Sequence, residues 1–185
     1  GLITTIASAQ WGATSTSWID NSDSDDRAAI NRTTLTVDLS AIHVSADYNS
    51  YWDNDTTAQG NANVYEAYAS TDVMGFGTLT MGRQDLSFGS GALISSDEWG
   101  YGKRYTTDGI DFAASFGGIG INVGTMSGIN ANSNYMNASG SFSGVSFNVL
   151  MIDESDVKSH GYDLGYSLMD GNLNVHYSIN EDGSG

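Results

Sequence analysis

The sequence predicts an all-β chain: an antiparallel, up-and-down transmembrane β-barrel with about eleven strands in view. Three observations predict it. Segments of roughly ten residues with alternating polarity follow one another from end to end. The breaks between them take turns in kind. They are tight at 38–41, 74–77, 117–118, 143–144 and 170–172, and long and polar at 20–27, 52–63, 89–107, 128–134 and 153–160. Aromatic residues gather near segment ends, at Trp11, Trp18, Tyr48, Tyr51, Trp52, Phe116, Tyr135 and Phe142. Short turns at one rim, long loops at the other and interfacial aromatic girdles belong together in barrels that cross an outer membrane.

The strands are expected near 2–18, 28–39, 42–52, 63–73, 77–88, 106–116, 119–127, 134–142, 145–152, 161–169 and 173–181. Thr33, Leu35, Val37 and Leu39 oppose Arg32, Thr34, Thr36 and Asp38. Ile42, Val44, Ala46 and Tyr48 oppose His43, Ser45, Asp47 and Asn49. Ile119, Ile121 and Val123 oppose Gly120, Asn122 and Gly124. Tyr162, Leu164 and Tyr166 oppose Gly161, Asp163 and Gly165, and Leu173, Val175 and Tyr177 oppose Asn174, His176 and Ser178. Such period-two patterning puts one face in an apolar medium and the other in a polar one. A soluble sandwich would show the same alternation, with its apolar face turned into a core. The small and ionisable residues of the polar faces suit a water-filled lumen instead.

Composition agrees. Hydrophobic residues make up 39% of the 185 residues, which suits strands of which only alternate positions meet lipid. No apolar run reaches the roughly eighteen residues of a membrane-spanning helix. Proline is absent, as it should be from a chain made largely of paired strands. A net charge of −16 excludes a nucleic-acid partner, which needs Lys and Arg against its phosphates. The acids Asp23, Asp25, Asp26, Asp53, Asp55, Asp153, Glu154 and Asp156 fall in the long breaks and read as solvated loop charge rather than a metal site. The stretch 20–26 lacks the Gly and Glu of a calcium loop. With no cysteine there is neither a disulfide nor a thiolate site, and no metal or cofactor is expected. Gly1-Leu2-Ile3-Thr4 has neither the charged nor the apolar region of a secretory signal.

The whole of 1–185 reads as a single β-barrel domain. An odd strand count sits badly with the even numbers of single-chain bacterial barrels. The loop-like 181–185 supplies no terminal strand ending on an aromatic residue. The expectation is therefore the N-terminal portion of a larger barrel.

The densest constellation of chemistry is Gly82-Arg83-Gln84-Asp85-Leu86-Ser87-Phe88-Gly89. Gly91-Ala92-Leu93-Ile94, Asp97-Glu98-Trp99, Lys103-Arg104-Tyr105 and Asp108-Gly109-Ile110-Asp111 follow it. A charge facing lipid near mid-bilayer costs about 2–4 kcal/mol for Arg, so Arg83 and Asp85, which share a parity, are expected to face the lumen. Leu79 and Met81 share that parity too, and a bulge near Gly82 would resolve the conflict. These motifs, over roughly residues 64–125, resemble outer-membrane porins of the alginate-export-like group of Gram-negative bacteria. There a Gly-Arg-Gln strand enters a long loop, and the next strand opens with an Arg and an Asp-Gly pair. The resemblance implies a passive channel. This chain departs from the anion-selective members, since it has four arginines and many acids.

A long loop can fold inward and narrow a barrel, and rings of charge select by sign. The pore-lining candidates are Arg32, Asp47, Glu66, Arg83, Asp85, Arg104, Asp111 and Asp163. A second reading makes Arg83, Asp85 and Glu66 an ion-pair network bracing the wall. No catalytic residues are expected. His43, His160 and His176 lie far apart, with His43 and His176 on polar faces, and no Gly-x-Ser-x-Gly elbow occurs. Gly117-Gly118-Ile119-Gly120 is a hairpin turn, because no helix follows it. The expected function is passive diffusion of ions and small hydrophilic solutes across a cell outer membrane. Lipid and lipopolysaccharide would be the surroundings, and homo-oligomerisation stays open. The alternative is a secreted or cell-surface β-protein with a structural or adhesive role.

Overall fold

The computed structural model describes residues 9–20, 28–52, 60–95, 104–127, 132–155, 157–168 and 171–182. They form eleven antiparallel strands, and each strand's neighbours in the sheet are its neighbours in the chain. No helix occurs among the described residues. The chain divides into two compact units, residues 1–69 with 97–105, and residues 70–96 with 106–185.

The first unit holds β1 (Ala9–Asp20), β2 (Ala28–Leu39), β3 (Ile42–Trp52) and most of β4 (Gly60–Asp72). The β1–β2 register runs unbroken from Ala9 opposite Leu39 to Asp20 opposite Ala28. The β3–β4 register slips between Ser45 and Ala46: Ser45 faces Glu66, while Ala46 faces Val64. Tyr65 is the extra residue, and the bulge turns its ring to the polar side, where it is buried. The second unit holds β5 (Gly77–Gln84), β6 (Thr107–Phe116), β7 (Ile119–Ser127), β8 (Asn132–Phe142), β9 (Val145–Glu154), β10 (Val157–Leu168) and β11 (Gly171–Asp182).

In both units the usual distribution of polarity is inverted. In the first, Leu35, Val37, Leu39, Val44 and Tyr48 are exposed, while Thr34, Ser45, Asp47 and Asn49 are buried. In the second, Val123, Met136, Met151, Leu164, Leu173 and Val175 are exposed, while Asp111, Ser133, Asn137 and Asn148 are buried. An apolar face this continuous calls for an apolar cover, such as a membrane or a partner surface. A polar face satisfied by its own hydrogen bonds does not. The alternation read from the sequence is thus physical, and its apolar parity is the outward one.

The turns explain where the strands stop. Gly117-Gly118 and Ser143-Gly144 close two-residue hairpins with φ of 59° and 85°, and 52° and 82°. Positive φ at both positions matches the twist of the flanking strands. The expected long breaks at 128–134 and 153–160 are shorter than the sequence suggested. β8 begins at Asn132, and Glu154 pairs with Val157 across a two-residue turn that opens on Ser155 at φ 50°. Asp153 and Glu154 therefore belong to β9 and not to a loop. Polar side chains on both sides of a tight turn made it look long. Residues 1–8, 21–27 and 53–59, with the acids Asp23, Asp25, Asp26, Asp53 and Asp55, lie outside the described residues, as does Asp156.

The aromatic pattern holds in part. Trp11, Phe116 and Phe142 are exposed near the tight-turn ends of their strands. Trp18 and Tyr135 do not join them. Trp18 lies under the Arg32 guanidinium, 4.9 Å from its ring centre, and Tyr135 is buried against the polar face. Each serves a neighbouring polar group rather than an interface.

Candidate functional site

The longest break leaves β5 after Gln84, and its residues 85–95 lie against the polar face of the second unit. The sequence dictates this. Leu86, Phe88, Leu93 and Ile94 are apolar and would cost free energy in water, roughly 25 cal/mol per Å² of exposed surface. The wall offers them Tyr135, Leu150, Ile152 and Met126. Phe88 and Tyr135 bring their ring centres within 5.3 Å. Leu150 is 2% exposed. Its neighbours Val149 and Met151 face the other way, which is why Val149-Leu150-Met151-Ile152 is apolar without interruption. Gly161 completes the seat: a Cβ there would press on the Leu93 side chain.

Polar contacts pin the same loop. The Ser90 backbone N–H donates to Asp163 at 3.2 Å, and the Ser90 hydroxyl lies 2.9 Å from His176 Nδ1. Asp163 also takes His176 Nδ1 at 2.6 Å and the Asn148 amide at 3.2 Å. Asn148 in turn accepts from Asn137 at 2.6 Å. A second carboxylate, Asp111, accepts from the Tyr135 hydroxyl at 2.6 Å and from Asn122 at 3.1 Å. Hydrogen-bond donors thus meet both acids, of which Asp111 is buried and Asp163 half-buried. Between loop and wall lies a cavity of about 840 Å³. Its lining includes Asp85, Leu86, Phe88, Asn148, Asp163 and His176.

The polar face of the first unit is organised around Arg104. Its guanidinium donates to both Asp47 oxygens, at 2.6 and 3.2 Å, and to the Thr34 hydroxyl at 3.0 Å. It lies 3.3 Å from the centre of the Tyr65 ring. Thr34 also donates to Asp47 at 2.7 Å. A two-pronged pair capped by an aromatic face is the arrangement that guanidinium geometry favours. Nearer the tight turn, the His43 ring bridges Asp38 at 2.6 Å and Glu66 at 3.2 Å, and stacks on Tyr68. Among the described residues no three His, Asp or Glu side chains are grouped so as to hold a metal ion.

Arg32, Asp47, Glu66 and Arg104 lie on the polar face of the first unit, where parity put the three strand residues. Asp111 and Asp163 lie on that of the second, with Asp85 at the cavity between loop and wall. Arg83 is the exception. The β5–β6 register is unbroken from Gly77 opposite Ala114 to Gln84 opposite Thr107, so no bulge at Gly82 turns Arg83 inward. Gln84 is the buried, polar-face residue, and Arg83 shares the face of Met81 and Ile110. There it pairs with Asp108, Nε to Oδ1 at 2.9 Å and Nη2 to Oδ2 at 3.0 Å. The cost of a charge on that face is met by a cross-strand carboxylate at the strand's end, where the sequence reading had assumed a lumen partner. Glu66, on the polar face of the first unit, meets His43 and the Ser45 hydroxyl. Sequence reasoning did not single out Thr34, Tyr65, Ser90, Asn122, Asn137 or Asn148. Parity alone could have marked the strand residues, but a bulge and a docked loop leave no such trace.

No protein-family model matches the chain, and no curated protein does. Solved structures do. The outer membrane protein OprD from Pseudomonas aeruginosa aligns with a TM-score of 0.59 and 12% identity, over 95% of this chain and 49% of OprD. A structure from work on asymmetric conductivity of engineered proteins aligns with a TM-score of 0.53 and 16% identity, over 92% of this chain and 71% of that one. A mutant of the Rh. blastica porin aligns with a TM-score of 0.48 and 14% identity, over 97% of this chain and 75% of that one. The chain spans about half the length of OprD. At such identities the likeness is one of fold: this is an all-β, up-and-down antiparallel chain with the strand arrangement of an outer-membrane β-barrel protein.

Proposed function

We propose that the chain forms part of a porin-like channel in a bacterial outer membrane, passing ions and small hydrophilic solutes by passive diffusion. The observation that carries this reading is the inverted sheet. Leu35, Val37, Leu164, Leu173 and Val175 are exposed on one side, while Asp47, Asn49, Asp111 and Asn148 are buried on the other. On this reading outer-membrane lipid and lipopolysaccharide cover the apolar face, and the polar face lines the water path. The loop 85–95 then narrows the path along the second unit, beside Asp85 and Asp163, while Asp47 and Arg104 line the polar face of the first. The protein acts as a channel rather than an enzyme, and part of the apolar face is available for self-association.

The alginate-export-like grouping is a finer proposal, carried by the Gly82–Gly89 run and the Arg104 to Asp108-Gly109 return. That the chain is one portion of a longer porin is likewise proposed, on the odd number of strands among the described residues and the partial coverage of OprD. A native mass near 19.6 kDa would count against it. The channel reading is tested by outer-membrane fractionation, heat-modifiable gel migration and planar-bilayer recording. Stepwise conductance is expected. A protein that stays monomeric in plain buffer and conducts nothing would favour the secreted or surface-anchored alternative.

A further inference from the structure

The cavity beneath the 85–95 loop differs from a simple charge filter. Asp163 already takes donors from Ser90, Asn148 and His176, so its charge is engaged within the wall. No Lys or Arg lines the cavity among the described residues. What the lining offers in quantity is neutral amide and hydroxyl groups, including Asn174 and Ser139, beside the apolar surface of Leu86 and Phe88. Asn137 and Asn148, 2% and 7% exposed, hold each other in place and fix the floor.

We propose that this cavity is a binding station for a neutral, polyhydroxylated solute of mono- or disaccharide size, a reading that rests on the channel function proposed above. A sugar hydroxyl both donates and accepts, as do an amide and a hydroxyl of the lining, so each can be matched without a net charge. The C–H face of a sugar ring is apolar and suits Leu86 and Phe88. The volume of about 840 Å³ lies within the range of roughly 300–1,000 Å³ typical of small-molecule sites. A bare ion, by contrast, needs a ring of charges or carbonyls in place of its water; the two carboxylates of this lining, Asp85 and Asp163, stand among more numerous amides and hydroxyls.

The test is calorimetric titration of the full chain in detergent micelles with maltose, and with glucose, glucosamine and glucuronate as a charge series on one ring. Maltose is expected to give saturable heat, and Asn174→Ala with Ser139→Ala to weaken it by about five-fold, which is about 1 kcal/mol. Glucose, glucosamine and glucuronate should bind within about three-fold of one another if hydrogen bonding rather than charge decides. Folding of the double variant is verified by its heat-modifiable band, and Asn174→Ala alone provides the same comparison if the double variant does not fold. Absence of saturable heat with maltose would overturn the proposal. So would glucosamine binding more than about ten-fold tighter than glucose, which would make the acidic groups decisive. Bilayer conductance without sugar separates the two readings: conductance without maltose binding defeats only the binding station, and loss of conductance defeats the channel itself.

Discussion

The Tyr135 hydroxyl on β8 reaches over Gly124 on β7 and donates to Asp111 on β6 at 2.6 Å. Gly124 stands opposite both residues in the register, and a Cβ there would run into the Tyr135 ring and hydroxyl. Three strands are thus tied across a gap that only a glycine leaves. Tyr135→Phe removes the shorter of the two donors, the other being Asn122, from a carboxylate that is 6% exposed and is expected to cost about 1–3 kcal/mol. Gly124→Val should cost more, because the ring must move as well. Urea midpoints of the heat-modifiable form measure both; a tyrosine-to-phenylalanine change with no effect would show that Asp111 finds another donor.

Arg104→Ala leaves Asp47, whose side chain is 7% exposed, without its cation. Breaking a buried pair from one side costs about 3–5 kcal/mol, and partial exposure of Arg104 argues for the lower end. Arg104→Lys keeps the charge but not the fork or the stacking on Tyr65, so an intermediate loss is expected. Pairing Arg104→Ala with Asp47→Asn should cost less than the sum of the single changes. Additive losses in equilibrium unfolding would mean the two side chains do not act as a pair.

Ile94→Ala removes a buried side chain from the seat of the 85–95 loop. The expected loss is about 2–5 kcal/mol of local docking energy, paid by the loop rather than by the strands. Single-channel conductance should rise as the loop leaves the wall, while the strands keep their resistance to urea. Unchanged conductance would show that the loop does not narrow the path.

Arg83→Ala should leave the reversal potential in a salt gradient unchanged, because Arg83 stands on the apolar face with Asp108. A half-exposed pair contributes about 0.2–1 kcal/mol, so folding yield should fall little. A shifted reversal potential would put Arg83 back in the water path.

Val149 stands opposite Tyr162 and Ala138 on the apolar face. Val149→Asp is expected to stop assembly into the outer membrane, whereas Val149→Leu is tolerated. Charged substitutions there cost up to about 2–4 kcal/mol for basic side chains and less for acidic ones. Normal assembly of the aspartate variant, scored by the heat-modifiable band, would reverse the assignment of faces.

Much of this was legible in the chain because a strand's side-chain period is two. Leu35 and Thr34, or Leu164 and Asp163, declare their faces by parity alone, and Gly117-Gly118 and Ser143-Gly144 declare their turns by the φ they allow. Arg83 misled because parity was overruled by an assumption about cost, when a partner one strand away offset it. Asp153 and Glu154 misled because polar composition was taken for loop, and a tight turn at Ser155 let the strands run through it.

By itself the sequence determined the strands, their antiparallel succession and which face is apolar, since these follow from local periodicity and turn chemistry. Only the tertiary structure decided which polar residues meet. Asp111 finding Tyr135 across Gly124, Arg104 finding Asp47, and the apolar side chains of the 85–95 loop finding Leu150 depend on register, on the bulge at Tyr65 and on loop docking. Those are set by contacts between residues far apart in the chain, which no local pattern records.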